Sequence, residues 1–299
     1  EYPHRLTSIK EASDFLLDCE HSDFKVRDVV VKPVKRSPAP PFTTSTLQQD
    51  ASRKLGFSVN KTMMVAQKLY EDGHITYMRT DSLNLSQLAI SEISRVVKET
   101  LGDSYLHVRH YHTNSKGAQE AHEAIRPTYI SNRKIPGSAD ENKLYDLIWK
   151  RAVASQMADA VVEKTNVEIG IIPDAGTKSR YQLSEGYDFF RAEGEVVTFD
   201  GFMKVYQTEN GDGKYDEGML PPMTVGMPLK VGDITATERF TMPPARYTEA
   251  SLVKKMEDLG IGRPSTYAPT ISTIQARDYV RRGEREGDKR EYHLLRLRD

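Results

Sequence analysis

Three of the four residues from Pro38 to Pro41 are proline. Each ring fixes φ and removes a backbone donor, so the run Ser37-Pro38-Ala39-Pro40-Pro41 enters neither a helix interior nor a central strand. It is a boundary, and the hydrophobic pattern changes across it. Upstream, Thr7 or Ser8 can cap a short helix carrying Ala12, Phe15 and Leu16, and residues 24–34 are β-branched (Val26, Val29, Val30, Val31) and read as a strand. Downstream, from Phe42 to about Ala160, the period is helical. Leu47, Ala51 and Leu55 recur between Thr43 and Gly56. Val59, Met63, Ala66 and Leu69 or Tyr70 follow Ser58 and stop at Gly73, with Met63-Met64 read as core filler. Ile90, Ile93, Val97 and Leu101 follow Ser86 and stop at Gly102, and a fourth helix is expected over about 140–157.

After Ala160 the period changes to two. Residues 161–172, 180–184, 195–199 and 202–207 are strand candidates. A β pattern on both sides of a helical block predicts one sheet with the block inserted into it. Beyond Pro243-Pro244 two more helices are expected, over 248–259 and from Ser265 to about Asp278, then a polar strand over 292–297. The last 56 residues carry twelve Lys and Arg against nine acids, a mildly cationic piece.

Composition narrows the function classes. Forty-two Lys and Arg against 43 Asp and Glu exclude a uniformly basic binder, and the single Cys19 excludes a disulfide framework or a Cys-based zinc site. One cysteine fits a reducing cytoplasm. No apolar run approaches the roughly 20 residues that cross a bilayer, so no membrane partner is expected. Beginning on Glu1 with no signal-peptide pattern, the chain reads as a piece of a longer protein.

Three segments could carry chemistry. In 75–82, if the backbone is extended, Tyr77 and Arg79 share a face about 6–7 Å apart, with room for a phosphate between them. A phenol is a poor nucleophile near neutrality, and a guanidinium on the phosphate would stabilise the developing charge. Asp81 could orient Arg79 or compete for it. On spacing alone, a half-buried Tyr beside an Arg–Asp surface pair is the commoner outcome. In 119–128, His122-Glu123-Ala124-Ile125-Arg126 nearly matches HExxH, but Arg126 replaces the second His, so zinc is not expected. On a helical turn His122 and Arg126 would share a face suited to a phosphodiester, although Pro127 biases Arg126 away from the helix. The alternative is a surface His beside acids.

In 260–267, two glycines permit close backbone approach, and Ser265 or Thr266 opens a helix whose N-terminus could bind phosphate. Arg263 adds a charged contact and Tyr267 a surface for base stacking. Helix–Gly–helix corners are also common structural devices. The segment is not a P-loop, and the acidic 210–216 loop lacks the Glu that an EF-hand needs. The sequons at Asn60 and Asn84 are read as chance matches.

Together, ITYMRTDSLNLS (75–86), AQEAHEAIRPT (118–128) and LGIGRPSTYAPTISTIQARDYV (259–280), in that order, resemble the signature of type IA DNA topoisomerases of the bacterial topoisomerase I kind. PPFTTSTLQQDASRKLGFS (41–58) resembles the helix ahead of that family's active-site domain. The resemblance spans most of the chain and overrides the bland reading of Tyr77.

It implies an α+β multidomain fold. Residues 1–36 and 163–243 would form a β-rich arch, 37–162 a helical tyrosine domain inserted into it, and 244–299 part of a helical DNA-binding domain. It implies an ATP-independent enzyme in which Tyr77 attacks one DNA strand, forms a 5′-phosphotyrosine, lets another strand pass and reseals, relaxing negative supercoils. Arg79 would bind the scissile phosphate, His122 would lie near the active site, and Arg263 and Thr266 would contact DNA or nucleotide. Arg126, Ser265 and Tyr267 complete the expected DNA-binding set, with single-stranded and negatively supercoiled DNA as partner. Mg²⁺ is implied only through the family's Toprim domain, which has no counterpart here, so no metal is expected in this chain. The piece alone is expected to bind single-stranded DNA weakly and to be inactive. A topoisomerase III-like decatenase, a reverse gyrase fragment or a non-catalytic single-strand-binding module are the alternatives. A tyrosine recombinase is disfavoured because its Tyr comes last in the chain.

Overall fold

The computed structural model describes residues 1–112, 122–176, 178–181, 188–206, 218–284 and 286–298. Helix α1 (Ile9–Glu20) starts on Ser8, whose hydroxyl accepts from the Glu11 N–H, and leads into β1 (Ser22–Arg36). The helices α2 (Thr44–Leu55), α3 (Val59–Glu71), α4 (Gln87–Leu101) and α5 (Ala139–Ser155) follow, capped by Thr43, Ser58, Ser86 and Ser138. These hydroxyls satisfy N–H groups that the first helical turn leaves without partners. Gly56 ends α2 at φ 67°, a left-handed conformation that side chains resist.

The chain then returns to the sheet as β2 (Ala160–Pro173) and β3 (Phe189–Phe199), with a two-residue β4 (Pro228–Leu229). All neighbours in the β3-β2-β1-β4 sheet are antiparallel. β1 and β2 pair along their whole length, from Ser22 opposite Pro173 to Arg36 opposite Ala160. The helical block therefore leaves and re-enters the sheet at one pair of residues, which is what an insertion requires. Among the described residues β4 pairs with β1 only at Phe24 and Lys25, so within them the far half of β1 forms an edge of the sheet.

A second sheet pairs β5 (Asp233–Thr237) with β6 (Leu294–Arg298). β6 answers to the polar strand expected over 292–297, and its partner β5 comes from the β-rich stretch before the last two helices. Between β5 and β6 come α6 (Glu249–Asp258) and α7 (Tyr267–Ala276), which dock on the inserted block. Val253, Met256, Tyr267, Ala268 and Ile271 bury against Val59 of α3. Polar bonds frame this contact. The Glu249 carboxylate accepts from the Val59 N–H at 2.9 Å, Ser45 donates to Glu257 at 2.7 Å, and Asn60 donates to Ser272 at 2.7 Å.

Two expected strands are absent from the described residues. Residues 202–206 form a 3₁₀ turn, Gly201–Tyr206, because Gly201 takes φ 48° and the Phe202 N–H bonds to Ala158 O, turning Phe202 and Val205 onto the helical core. Arg180 and Tyr181 bend instead of extending, since both backbone N–H groups donate to the Asp18 carboxylate at 2.8 and 2.7 Å. Residues 182–184, 207 and the 210–216 loop lie outside the described residues.

The helical core closes around Phe42, Leu47, Met78, Ile125, Leu144 and Ile148, each fully buried. At its edge Asp50, 5% exposed, joins α2 to α5 through Arg151 at 2.6 Å and also meets Arg53 and Lys54. Burial alone would raise the Asp50 carboxyl, but Arg151, Arg53 and Lys54 together hold it below the usual carboxylate value. The folded carboxyl thus ionises more readily than the unfolded one. Its contribution is complete above the unfolded value of about 3.9 and is lost as pH falls through the lower folded value. Thermal unfolding followed from about pH 7 to 3 should lose stability in that window. Asp50→Asn should lower stability near neutrality by about 3 kcal/mol and flatten part of the acid loss.

Candidate active site around Tyr77

Residues 74–82 link α3 to α4 without joining a strand ladder. Their burial nonetheless alternates: Met78, Thr80 and Ser82 are buried, whereas Tyr77 and Arg79 are exposed. Tyr77 and Arg79 are thus both open to solvent, although the backbone bends at residues 76, 78 and 79 and does not run in the extended form on which the shared-face expectation rests.

Hydroxyl groups hold this segment at both ends. Thr76 donates its hydroxyl to Ala124 O at 2.8 Å and accepts from the Arg126 N–H at 3.0 Å, while its own N–H bonds Arg126 O at 2.9 Å. Thr44, at the start of α2, donates its hydroxyl to Met78 O at 2.7 Å and accepts from the Thr80 N–H at 2.9 Å. The Thr44 N–H also bonds Thr80 O at 2.9 Å. Met78, fully buried, anchors the middle.

Tyr77 is 37% exposed. The Tyr70 ring of α3 stands edge-on to it at 5.2 Å between centroids, and the His122 ring lies 6.4 Å away at 34°. Arg79 makes no hydrogen bond or ion pair among the described residues, and no bond joins it to Asp81. Its guanidinium is available for an anion.

The other expected contacts are arranged differently. Residues 118–121 lie outside the described residues, and 122–127 are not helical: Ile125 bridges to Phe42 and Pro127 to Ile75. His122 and Arg126 hence do not share a helical face. His122 stands by Tyr77, whereas the Arg126 guanidinium closes on Glu123 through Nε at 3.2 Å and Nη2 at 2.8 Å, and gives Nη1 to Pro127 O at 2.9 Å. Only 11% of that side chain is exposed. Arg126 acts here as an internal clamp and not as a phosphate contact. Burial pushes the Glu123 carboxyl up, but the bonds from Arg126 and from the Ser86 N–H outweigh it and leave it below its usual value.

In the 260–267 corner, Arg263, Ser265 and Thr266 are exposed. The Thr266 hydroxyl accepts from the Arg263 N–H at 2.8 Å and turns the chain, and Arg263 Nη1 reaches Gly262 O at 2.8 Å. Helix α7 starts only at Tyr267, with no side-chain cap, and the Tyr267 N–H already bonds Arg263 O. Pro269 has no N–H to offer, so this helix start is a poorer anion cradle than expected. Tyr267 is 6% exposed and packs among Val253, Met256 and Ile271, which removes it as a stacking surface in this arrangement. Burial, then the charge of Glu257 and more weakly that of Asp81, push its phenol up against the opposing Arg263.

Among the described residues no three His, Cys, Asp or Glu side chains gather to hold a metal ion. No helix of the described residues is long and apolar enough to cross a membrane. A cavity of about 1250 Å³ lies between α1 and the two sheets, lined by Tyr2, Phe15, Phe24, Phe190 and Leu295, and takes in none of these site residues.

Residues 2–288 match the family model described as DNA topoisomerase. The chain belongs to the bacterial DNA topoisomerase I family. It is 48% identical over 272 residues to DNA topoisomerase 1 of Zymomonas mobilis, covering 88% of this chain and 21% of the relative. It is 46% identical over 291 residues to DNA topoisomerase 1 of Rickettsia bellii, covering 92% of this chain and 35% of the relative. The full-length topoisomerase I of Thermotoga maritima superposes with a TM-score of 0.70 at 36% identity, over 93% of this chain and 44% of that one. The topoisomerase chain thus has the family's mixed α+β fold and spans about a fifth to a third of these two curated relatives' length.

Nothing local marks Thr44 or Thr76, whose partners lie 34 to 50 residues away, and Tyr70, an alternative to Leu69 for the buried stripe of α3, is instead exposed beside Tyr77. If Tyr267 is core, Tyr267→Ala should cost about 3 kcal/mol or more in thermal or denaturant unfolding, as deletion of a buried ring does, whereas Tyr267→Phe should stay near wild type.

Proposed function

We propose that this chain carries the strand-cleaving tyrosine of an ATP-independent type IA DNA topoisomerase. The supporting observation is that Tyr77 and Arg79 are both exposed on a segment fixed at its two ends, with no carboxylate partner for Arg79 among the described residues. In this reading the Tyr77 oxygen attacks a backbone phosphorus of single-stranded DNA as the phenolic proton leaves. The bond from phosphorus to the 3′ oxygen breaks, and that oxygen departs as a hydroxyl. The product is a 5′-phosphotyrosine that conserves the phosphodiester energy, so resealing is the reverse attack by the 3′-hydroxyl. Arg79 would neutralise the charge building on the non-bridging oxygens. His122, beside Tyr77, would face the DNA near the cleavage point, and exposed Arg263, Ser265 and Thr266 would follow the strand further along.

Proton removal and metal-assisted neutralisation would come from outside the described residues. On this reading residues 1–36 and 163–243 form the arch, 37–162 the tyrosine domain and 244–299 part of the DNA-binding base. The paired exit and entry at Arg36 and Ala160 would serve as the hinge about which the inserted block moves as one body. Strand passage through that opening relaxes negative supercoils in a bacterial cytoplasm.

In the full-length protein, a labelled single-stranded oligonucleotide should form a covalent adduct with wild type and none with Tyr77→Phe. Persistence of the adduct in Tyr77→Phe places the nucleophile elsewhere. The isolated chain should shift the same oligonucleotide in a gel without relaxing supercoiled plasmid in Mg²⁺, and relaxation by the isolated chain would contradict the need for a further domain.

A further inference from the structure

Thr44 is fully buried, and the bonds of its hydroxyl run to the two residues that flank Arg79. The single hydroxyl proton points to Met78 O at 2.7 Å, with Thr80 O next at 3.1 Å, and the oxygen accepts the Thr80 N–H at 2.9 Å. The Thr44 N–H closes a second bond to Thr80 O at 2.9 Å. One side chain thereby fixes a carbonyl before Arg79 and an N–H after it. Two adjacent residues extend the arrangement. Thr43 caps α2, and Ser45 bonds Glu257 of α6 at 2.7 Å, so the start of α2 is where the docked C-terminal helices meet the tyrosine segment.

We propose that Thr44 is a positioning residue for strand cleavage: its hydroxyl holds the backbone of Met78 and Thr80 so that Tyr77 and Arg79 are presented to the same phosphate. The inference rests on the reading of Tyr77 as nucleophile. The physical requirement is severe, because in-line attack needs the oxygen near the phosphorus with the guanidinium already in place, and displacement on the order of 1 Å can cost 10²-fold. Segment 76–80 has no strand ladder to supply this rigidity, only the bonds of Thr44 and Thr76 and the buried Met78. Removing the Thr44 hydroxyl leaves a buried carbonyl and a buried N–H without that partner, and the backbone beside Arg79 would relax to satisfy them.

The test uses the full-length protein and a labelled single-stranded oligonucleotide. Thr44→Val should slow formation of the covalent adduct by about tenfold or more, while non-covalent binding of the same oligonucleotide, measured in a Tyr77→Phe background, should change by about twofold or less. Thr44→Ser keeps the hydroxyl and should remain within about threefold of wild type. In an Arg79→Ala background the Thr44→Val effect should be clearly smaller than in wild type, since positioning a missing guanidinium gains nothing. Thr44→Val at the wild-type rate overturns the inference, as do equal losses of binding and cleavage or effects that simply multiply. Should Thr44→Val not fold, Thr44→Ser carries the test: a large loss of rate at unchanged melting temperature assigns the role to the methyl group and also overturns the inference. An adduct that survives Tyr77→Phe defeats instead the reading of Tyr77.

Discussion

Backbone groups that belong to no ladder have to find partners elsewhere, and around Tyr77 those partners are side-chain hydroxyls. Thr44 and Thr76 reach the chain on either side of the tyrosine–arginine pair, and the buried Met78 pins the middle. A strand in a sheet would offer similar rigidity but would give one flank to a neighbour. Held by hydroxyls, the segment keeps Tyr77 and Arg79 open to solvent on one side while its other side is part of the core. The first turn of α2 and the extended stretch 122–127 exist in this geometry largely to present those partners.

The same economy explains why nearby charges differ in employment. Arg126 is closed on Glu123 and on two carbonyls, so it stabilises the wall behind the site. Arg79, three residues into the other wall, has no such closure. A buried or half-buried guanidinium without a carboxylate would be costly, whereas an exposed one is well solvated and ready for an anion. The division between a closed arginine and an open one is therefore set by burial and not by residue type. The Tyr267 corner repeats the lesson, since the hydroxyl of Thr266 turns the chain and the ring of Tyr267 becomes part of the contact that docks α6 and α7 on α3.

Much of this was legible in the sequence where the deciding interaction is short in range. Ser58 and Ser86 cap the helices that follow them, and of the two candidates Thr7 and Ser8 it is Ser8 that caps α1, because a cap is decided within three residues. The sheet broken by a helical insertion was readable from the switch in period on both sides of the block. What was not legible depends on distant partners. Arg180 and Tyr181 bend because Asp18 collects their N–H groups, more than 160 residues away. The turn at Gly201 is fixed by the backbone of Ala158, and the extended course of 122–127 by bridges to Phe42 and Ile75. The burial of Tyr267 needs helices whose docking no periodicity announces.

The far half of β1 ends as an open sheet margin rich in valine, a surface that invites a second molecule to add its own strand. Pro33 interrupts the row of donors there, and Lys32, Lys35 and Arg36 would bring like charges together in any self-pairing. The strand that carries the insertion thus also carries its own protection against edge-to-edge association, and a variant that replaced that proline and those cations with more valine would lose it.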